Sequence, residues 1–325
     1  MNTQSRQVAA DAALATDRIA NIIRETPLQR SAVFSAALHA DIHLKLENLQ
    51  HTGSFKLRGA SNALMSLSAE QRAAGCVAAS SGNHGAAVAY AMRELHISGV
   101  VFVPEQTATA KVDAIRNYGG DVRFFGTDGL DTEQHARQFA AENNMYYVSP
   151  YNDRRVIAGQ ATCGIEIARQ LPEIDAAFIA VGGGGLISGV GSVLKAQRPA
   201  VKLIGCQPQA SAVMADSIAA GRILDLPSEQ TLSDGTAGGI EPGSITFELC
   251  RELVDDFVLV SEDEIAAAMR DYIAAETHPI EGAAGVAMAA LIKQKDALRG
   301  AKVAVIICGG NISKAKLDAL CLSKS

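Results

Sequence analysis

The 325 residues, 48% hydrophobic and with a formal net charge of −6, suffice for one large or two medium domains around a substantial core. No Lys/Arg-rich block interrupts that acidic balance, which argues against nucleic acid or a membrane surface as partner and leaves small molecules. Nowhere do roughly eighteen apolar residues run together, residues 1–11 carry no basic-then-apolar leader, and the six cysteines include no CxxC pair, so the expectation is a protein of the reducing cytoplasm with free thiols.

Residues 8–23 place Val8, Ala12, Ile19, Ile22 and Ile23 at helical spacing, with Pro27 soon after, which predicts an amphipathic helix on the outside of the core. Ile42-His43-Leu44-Lys45-Leu46 alternates as a half-buried strand does and delivers the chain to Lys56. Short apolar runs at 77–79, 99–103 and 122–125 read as buried strands, with helical patterns at 86–95, 110–118 and 132–143 between them. After Pro150 the alternation starts again, with helices at 158–171, 186–196 and 210–220 and strands at 176–181 and 201–206. Residues 221–243, punctuated by Pro227, Gly235, Gly238, Gly239, Pro242 and Gly243, are irregular, and loops of such length in compact domains are often functional. A strand at 257–260, a capping box in Ser261-Glu262-Asp263-Glu264, a helix at 283–293 and a last strand at 302–307 complete the chain. The pattern predicts parallel sheets with right-handed crossovers, in two α/β units that share a cleft.

Within that frame one stretch carries reactive chemistry. Lys56 stands between Phe55 and Leu57 where a helical pattern begins, and loss of hydration there disfavours the ammonium form. A neutral lysine amine is a nucleophile that forms a Schiff base with an aldehyde. Read alone, the same lysine fits an ordinary solvated first turn.

Three loops accompany it. Gly182-Gly183-Gly184-Gly185 follows an apolar strand and precedes the helix from Leu186, so that backbone N–H groups and a helix dipole can converge on a phosphate. The loop lacks the Lys-Ser/Thr of a Walker motif and the GxGxxG spacing, and glycines would also serve a tight turn there. Ser80-Ser81-Gly82-Asn83-His84-Gly85 likewise lies between strand and helix and offers hydroxyls, an amide and N–H groups to a carboxylate, or a helix cap in Ser81 or Asn83. Ile307-Cys308-Gly309-Gly310-Asn311 ends the last strand on two glycines, which admit a flat ring.

Taken in order, Lys45-Leu46-Glu47-Asn48 with Ser54-Phe55-Lys56-Leu57-Arg58-Gly59, then Ser81-Gly82-Asn83-His84-Gly85, the four glycines and Cys308-Gly309-Gly310-Asn311 resemble the fold-type II pyridoxal 5′-phosphate (PLP) enzymes. Asp234-Gly235 and the run from Asp255 to Glu262 are similar to the serine/threonine dehydratase and serine racemase branch. The resemblance implies a tryptophan synthase β-subunit-like α/β fold, with residues 1–65 and 151–325 as a large PLP-binding domain, 66–150 as a small mobile domain, and the active site between them. It implies that Lys56 holds PLP as a Schiff base and moves the substrate α-proton. Gly182, Gly183, Gly184, Gly185 and Leu186 would cradle the phosphate, Asn83 would hydrogen-bond the ring 3′-oxygen, Phe55 would pack beside the ring, and Cys308 would stand near the pyridine nitrogen. Ser80, Ser81, Gly82, Asn83 and His84 would hold the substrate carboxylate. The implied reaction is elimination of water from a β-hydroxy-α-amino acid (L-threonine, L-serine or 3-phenylserine) to give a 2-oxo acid and ammonia.

Several residues depart from that pattern or leave a choice. Cys308 replaces the branch's usual serine, and a thiol is a weak hydrogen-bond partner that does not hold the ring protonated. Gln207-Pro208 and Val213 stand where metal-activated members carry acidic ligands, so no metal site is expected. Ser81, where many threonine dehydratases have alanine, keeps a two-base racemase as an alternative, beside a β-replacement synthase and, more remotely, a non-catalytic nucleotide-binding module. Phe124 and Phe125 are read as an aromatic wall for a substrate such as 3-phenylserine, or as core. The chain ends soon after Asn311, so feedback through a C-terminal regulatory domain is not expected, and a symmetric homodimer is the base-rate expectation.

Overall fold

Twenty-four α-helices and β-strands are set out by the computed structural model, which describes residues 1–322, with side chains through Leu320. The first part of the chain runs α1 (Thr3–Ile19), β1 (Leu28–Arg30), α2 (Ala32–Leu38), β2 (Asp41–Lys45), α3 (Lys56–Met65) and α4 (Ala69–Ala74). Then come β3 (Cys76–Ala79), α5 (Asn83–Leu95), β4 (Gly99–Val103), α6 (Thr109–Asn117), β5 (Asp121–Phe124), α7 (Gly129–Glu142) and β6 (Tyr146–Tyr147). The chain continues through α8 (Arg154–Gln170), β7 (Ala176–Ala180), α9 (Gly185–Gln197), β8 (Lys202–Pro208), α10 (Val213–Ala220) and α11 (Ile245–Leu253). It ends with β9 (Asp256–Val260), α12 (Glu262–Glu276), α13 (Gly282–Lys293), β10 (Lys302–Ile306) and α14 (Lys314–Leu322).

The alternation builds two sheets. A six-stranded sheet has the order β1-β2-β10-β7-β8-β9, and a four-stranded one, drawn from residues 76–147, has the order β5-β4-β3-β6. All pairings are parallel except β1 with β2. β1 departs from the expected all-parallel pattern because it doubles back at the edge, where Gln29 and Arg30 are exposed and no period-two apolar signal exists to read.

Most of the predicted elements stand, with shifted ends. α1 runs Thr3–Ile19 rather than 8–23, because the Asn2 side chain accepts from the Gln4 and Ser5 N–H groups and starts the helix early. Asp128 does the same for α7. The Ser261 capping box is present, the Ser261 hydroxyl accepting from Glu264 N and the Glu264 carboxylate from Ser261 N. α11 follows so closely on the irregular segment that its spacing (Thr246, Leu249, Cys250, Leu253) is its only signal.

Packing behind α3 fixes where Lys56 sits. Cβ atoms built on Gly59 and Gly159 would meet Gln160 Nε2 at 2.2 Å and the Arg58 carbonyl at 2.5 Å. These two glycines therefore let α3 and α8 approach backbone to backbone. Beneath the contact lies a charge cluster: Arg58, 0% exposed, donates to Glu47 at 2.7 Å twice and to Glu166 at 2.6 and 2.8 Å, and Lys45 donates to Glu166 as well. Two cations thus face two carboxylates out of water, the arrangement that buried charge requires. The described cysteine side chains (Cys76, Cys163, Cys206, Cys250 and Cys308) are free and buried, while that of Cys321 lies outside the described residues. Among the described residues no helix is long and apolar enough to cross a membrane.

Candidate active site

Ligand crevices in parallel α/β sheets open at the carboxyl ends of the strands, and four loops meet there. β2, β10 and β7 are neighbours in the larger sheet, and the chain leaving them carries Lys56, Cys308–Asn311 and the four glycines. The fourth loop, Ser80–Gly82, leaves β3 of the smaller sheet. Together they line a cleft of about 620 Å³.

Backbone bonds tie the first two loops together. Phe55 N donates to Cys308 O at 3.0 Å, Gly310 N to Gly53 O at 3.0 Å, and Ser54 bridges Gly309. Lys56 opens α3 with Phe55 as its N-cap residue. Its Nζ donates to the Pro150 carbonyl at 2.8 Å and lies 5.2 Å from the Phe55 ring centroid. Burial of the ammonium lowers its pKa to about 8, against the opposing pull of Cys308 and Glu281. The sequence expectation of a partly desolvated lysine at a helix start agrees with this geometry.

The glycine loop is shaped by what surrounds it. Gly184 stands at the N-cap of α9 with φ +82°, a left-handed conformation suited to glycine. A Cβ on Gly183 would meet the Tyr151 ring at 2.4 Å, so packing also demands glycine here. Thr246 Oγ1 donates to Gly183 O at 2.6 Å and holds that carbonyl toward α11. In a helix that begins at Gly185 the first-turn N–H groups have no carbonyl one turn back, which leaves donors for an anion. Gly182, Gly183, Gly184, Gly185 and Leu186 all line the cleft.

The third loop differs in detail from expectation. Neither Ser81 nor Asn83 caps α5, whose N-cap is Gly82 with no side-chain bond; Ser80 Oγ instead accepts from Gly82 N at 3.1 Å. Ser80, Ser81, Gly82, Asn83 and His84 line the cleft. The His84 ring, however, is buried with Nε2 2.8 Å from Val148 O, and desolvation, assisted by the charge of Lys56, lowers its pKa to about 3. It is therefore neutral and bound to the protein interior rather than presented to a carboxylate.

Phe124 is a correction. It is 46% exposed at the end of β5, the outer strand of the smaller sheet and two strands from β3, and it does not reach the cleft. Phe125 stacks on His135 of α7, with ring centroids 3.6 Å apart. The aromatic and apolar side chains that do line the cleft include Phe55, Ile115, Tyr118 and Tyr151.

Sequence reasoning missed Glu281. It lines the cleft at the start of α13, is 8% exposed, and receives Asn83 Nδ2 on both carboxylate oxygens at 2.8 and 2.9 Å. A lone glutamate ahead of a small-residue helix carries no motif that marks it. Gln207 and Val213 are buried, Gln207 Oε1 accepting from Ala215 N at 2.8 Å. Among the described residues no group of three or more His, Cys, Asp or Glu could hold a metal ion.

Two largely parallel sheets whose loops bring a low-pKa lysine, an anion-ready helix start and an amide into one cleft define a cofactor-binding α/β enzyme. The chain belongs to the pyridoxal-phosphate dependent enzyme family, whose model matches residues 19–309, and its cofactor is PLP. It is 40% identical over 298 residues to an L-threonine ammonia-lyase of Thermotoga maritima, covering 92% of this chain and 74% of the relative. Among solved structures it superposes with TM-score 0.95 on the processed form of threonine deaminase isoform 2 from Solanum lycopersicum, at 34% identity, covering 100% of this chain and 95% of that one. It superposes with TM-score 0.90 on maize serine racemase, at 32% identity, covering 96% and 95%. The fold is that of the tryptophan synthase β-like, fold-type II PLP enzymes, in the serine/threonine dehydratase branch. The donor set fits the cofactor: an amine for its aldehyde, helix-start N–H groups for its phosphate, and an amide and a thiol in the same cleft for its ring.

Proposed function

We propose that the chain is a PLP-dependent ammonia-lyase that eliminates water from a β-hydroxy-α-amino acid, L-threonine, L-serine or 3-phenylserine, to yield a 2-oxo acid and ammonia. The observation that carries this reading is the low pKa of Lys56 in a cleft shared with the four-glycine loop, and the 40% identity to an L-threonine ammonia-lyase supports it.

Bound PLP supplies an electron sink for the charge left at the substrate α-carbon. Lys56 holds the cofactor and exchanges the α-proton, a task suited to an amine whose pKa of about 8 lies near the working pH. Gly182 to Leu186, Phe55 and Asn83 line the cleft; the first would hold the phosphate, Phe55 would pack beside the ring and Asn83 would hydrogen-bond its 3′-oxygen. The Cys308 thiol, which burial keeps protonated, offers the ring nitrogen only a weak bond. Ser80, Ser81 and the N–H groups at the start of α5 bind the substrate carboxylate, while the buried His84 ring supports that loop through Val148. Ala110, Ala114, Ile115 and Tyr118 of the α6 region form an apolar wall, which supports testing an aromatic substrate.

Residues 66–150 act as a small mobile domain that closes on a large one formed by 1–65 and 151–325. The separate four-stranded sheet drawn from residues 76–147 supports that division, and the Lys111–Asp234 and Arg137–Glu241 ion pairs, at 3.7 and 2.7 Å, reach from one part to the other. The active form is taken as a homodimer on the prevalence of twofold pairs alone. A second reading, amino-acid racemization with Ser81 as acid/base, is supported by the position of Ser81 in the cleft and by the likeness to maize serine racemase.

The test is 2-oxo acid release from L-serine, L-threonine and L-threo-3-phenylserine, each beside its D-enantiomer, with and without EDTA. Release from at least one L-substrate, unchanged by EDTA because Gln207 is engaged and Val213 has no side-chain oxygen, is the expected result. Enantiomer interconversion without release would favour the racemase. No turnover of either kind would favour β-replacement, and EDTA inhibition reversed by magnesium would contradict the metal-free reading.

A further inference from the structure

Glu281 stands at the N-cap of α13 but gives that helix no side-chain bond; its carboxylate turns into the cleft. Both oxygens accept from Asn83 Nδ2 at 2.8 and 2.9 Å, and the Glu281 backbone N–H donates to Gly309 O at 3.2 Å, which ties the residue to the loop after β10. Asn83 Oδ1 in turn accepts from Asn311 Nδ2 at 2.7 Å. The orientation of the Asn83 amide is thereby determined, its carbonyl toward Asn311 and its nitrogen toward Glu281. Asn83 follows the smaller sheet, whereas both its partners belong to elements of the larger one. A Cβ on Gly309 would stand 2.4 Å from Glu281 Oε1, so this glycine is what lets the carboxylate lie against the loop after β10.

We propose that Glu281 is a positioning residue that fixes Asn83 across the cleft and, through Asn83, sets the affinity for PLP. The inference rests on the reading of this cleft as the cofactor site. Only the ionised carboxylate presents two acceptors to Asn83; a protonated one turns an oxygen into a donor and loosens the hold. Burial raises the Glu281 pKa to about 7, the Asn83 hydrogen bond opposing, Asp234 adding, and the Asn311 N–H and Lys56 opposing. The charged and titratable groups around it are Lys56 of α3, the Cys308 thiol after β10, and Asp234, itself paired with Lys111 and Lys316; His84 of α5 is held neutral.

The experiment is a double-mutant cycle in the PLP dissociation constant, with Glu281→Gln, Asn83→Ala and the double variant, measured on either side of pH 7 on protein stripped of and reloaded with cofactor. Glu281→Gln is expected to weaken PLP binding on the order of tenfold above pH 7 and less below it, and the double variant to be no weaker than Asn83→Ala. If Glu281→Gln does not fold, Glu281→Asp, which keeps the charge, is read in the same cycle and expected to retain the pH dependence. Unchanged affinity in Glu281→Gln, or losses that multiply in the double variant, would overturn the inference while leaving the cofactor site intact. Unchanged affinity in both Asn83→Ala and Lys56→Ala would overturn the cofactor reading and the inference together.

Discussion

Lys56 faces a cleft that both shelters and admits water, and the consequence appears in the stability of the cofactor-free protein. Its pKa falls from 10.5 to about 8 on folding. Between those values the unfolded chain binds a proton that the folded one does not, so stability rises with pH across that window and is flat below it. Lys56→Met removes the strain of holding the charge. The apoprotein variant is expected to be more stable than wild type below pH 8, by about 1–2 kcal/mol once discounted for the water the cleft admits, the advantage fading toward pH 10.5. Denaturant unfolding at several pH values checks this, and equal stability at pH 7 would contradict it. Residues of this kind were legible because a lysine between two apolar neighbours at a helix start has a chemical signature. Glu281 was not: its meaning comes from Asn83, 198 positions away.

At the scale of elements, α3 is held by charge as much as by apolar contact. Arg58 is surrounded by Glu47, Glu166, Thr162 and Thr26. Arg58→Met would leave two buried carboxylates with Lys45 alone, and loss of one partner from a buried network costs roughly 3–5 kcal/mol. The variant is expected to lose stability of that order in chemical denaturation, and a loss below about 1 kcal/mol would show that the network is dispensable. The strand carrying Lys45 was legible from its alternation, but the burial of Lys45 was not. Period two states which side chains share a face, not whether that face is covered, and here β2 is paired on both edges and α8 supplies Glu166 and Gln170 to the ammonium. Phe124 failed for the complementary reason: its strand was correctly read, yet strand order, which puts β5 at an edge, is not written in local spacing.

Across the whole molecule, the strand-and-helix alternation carried the two-sheet architecture, and the four cleft loops were legible because each follows a parallel strand and begins or precedes a helix. What spacing did not carry was the closure of one sheet on the other, through Asn83 with Glu281, Arg137 with Glu241 and Lys111 with Asp234. These contacts make the cleft a shared product of both sheets, with Lys56 on the larger and Ser81 and Asn83 on the smaller. The account stands on Lys56 as the residue that holds PLP. The direct measurement is borohydride reduction of the PLP-loaded protein followed by peptide mass spectrometry. A pyridoxyl group on Lys56, and none in Lys56→Ala, is the result predicted. A pyridoxyl group on another lysine, or unchanged labelling of the variant, would contradict the account.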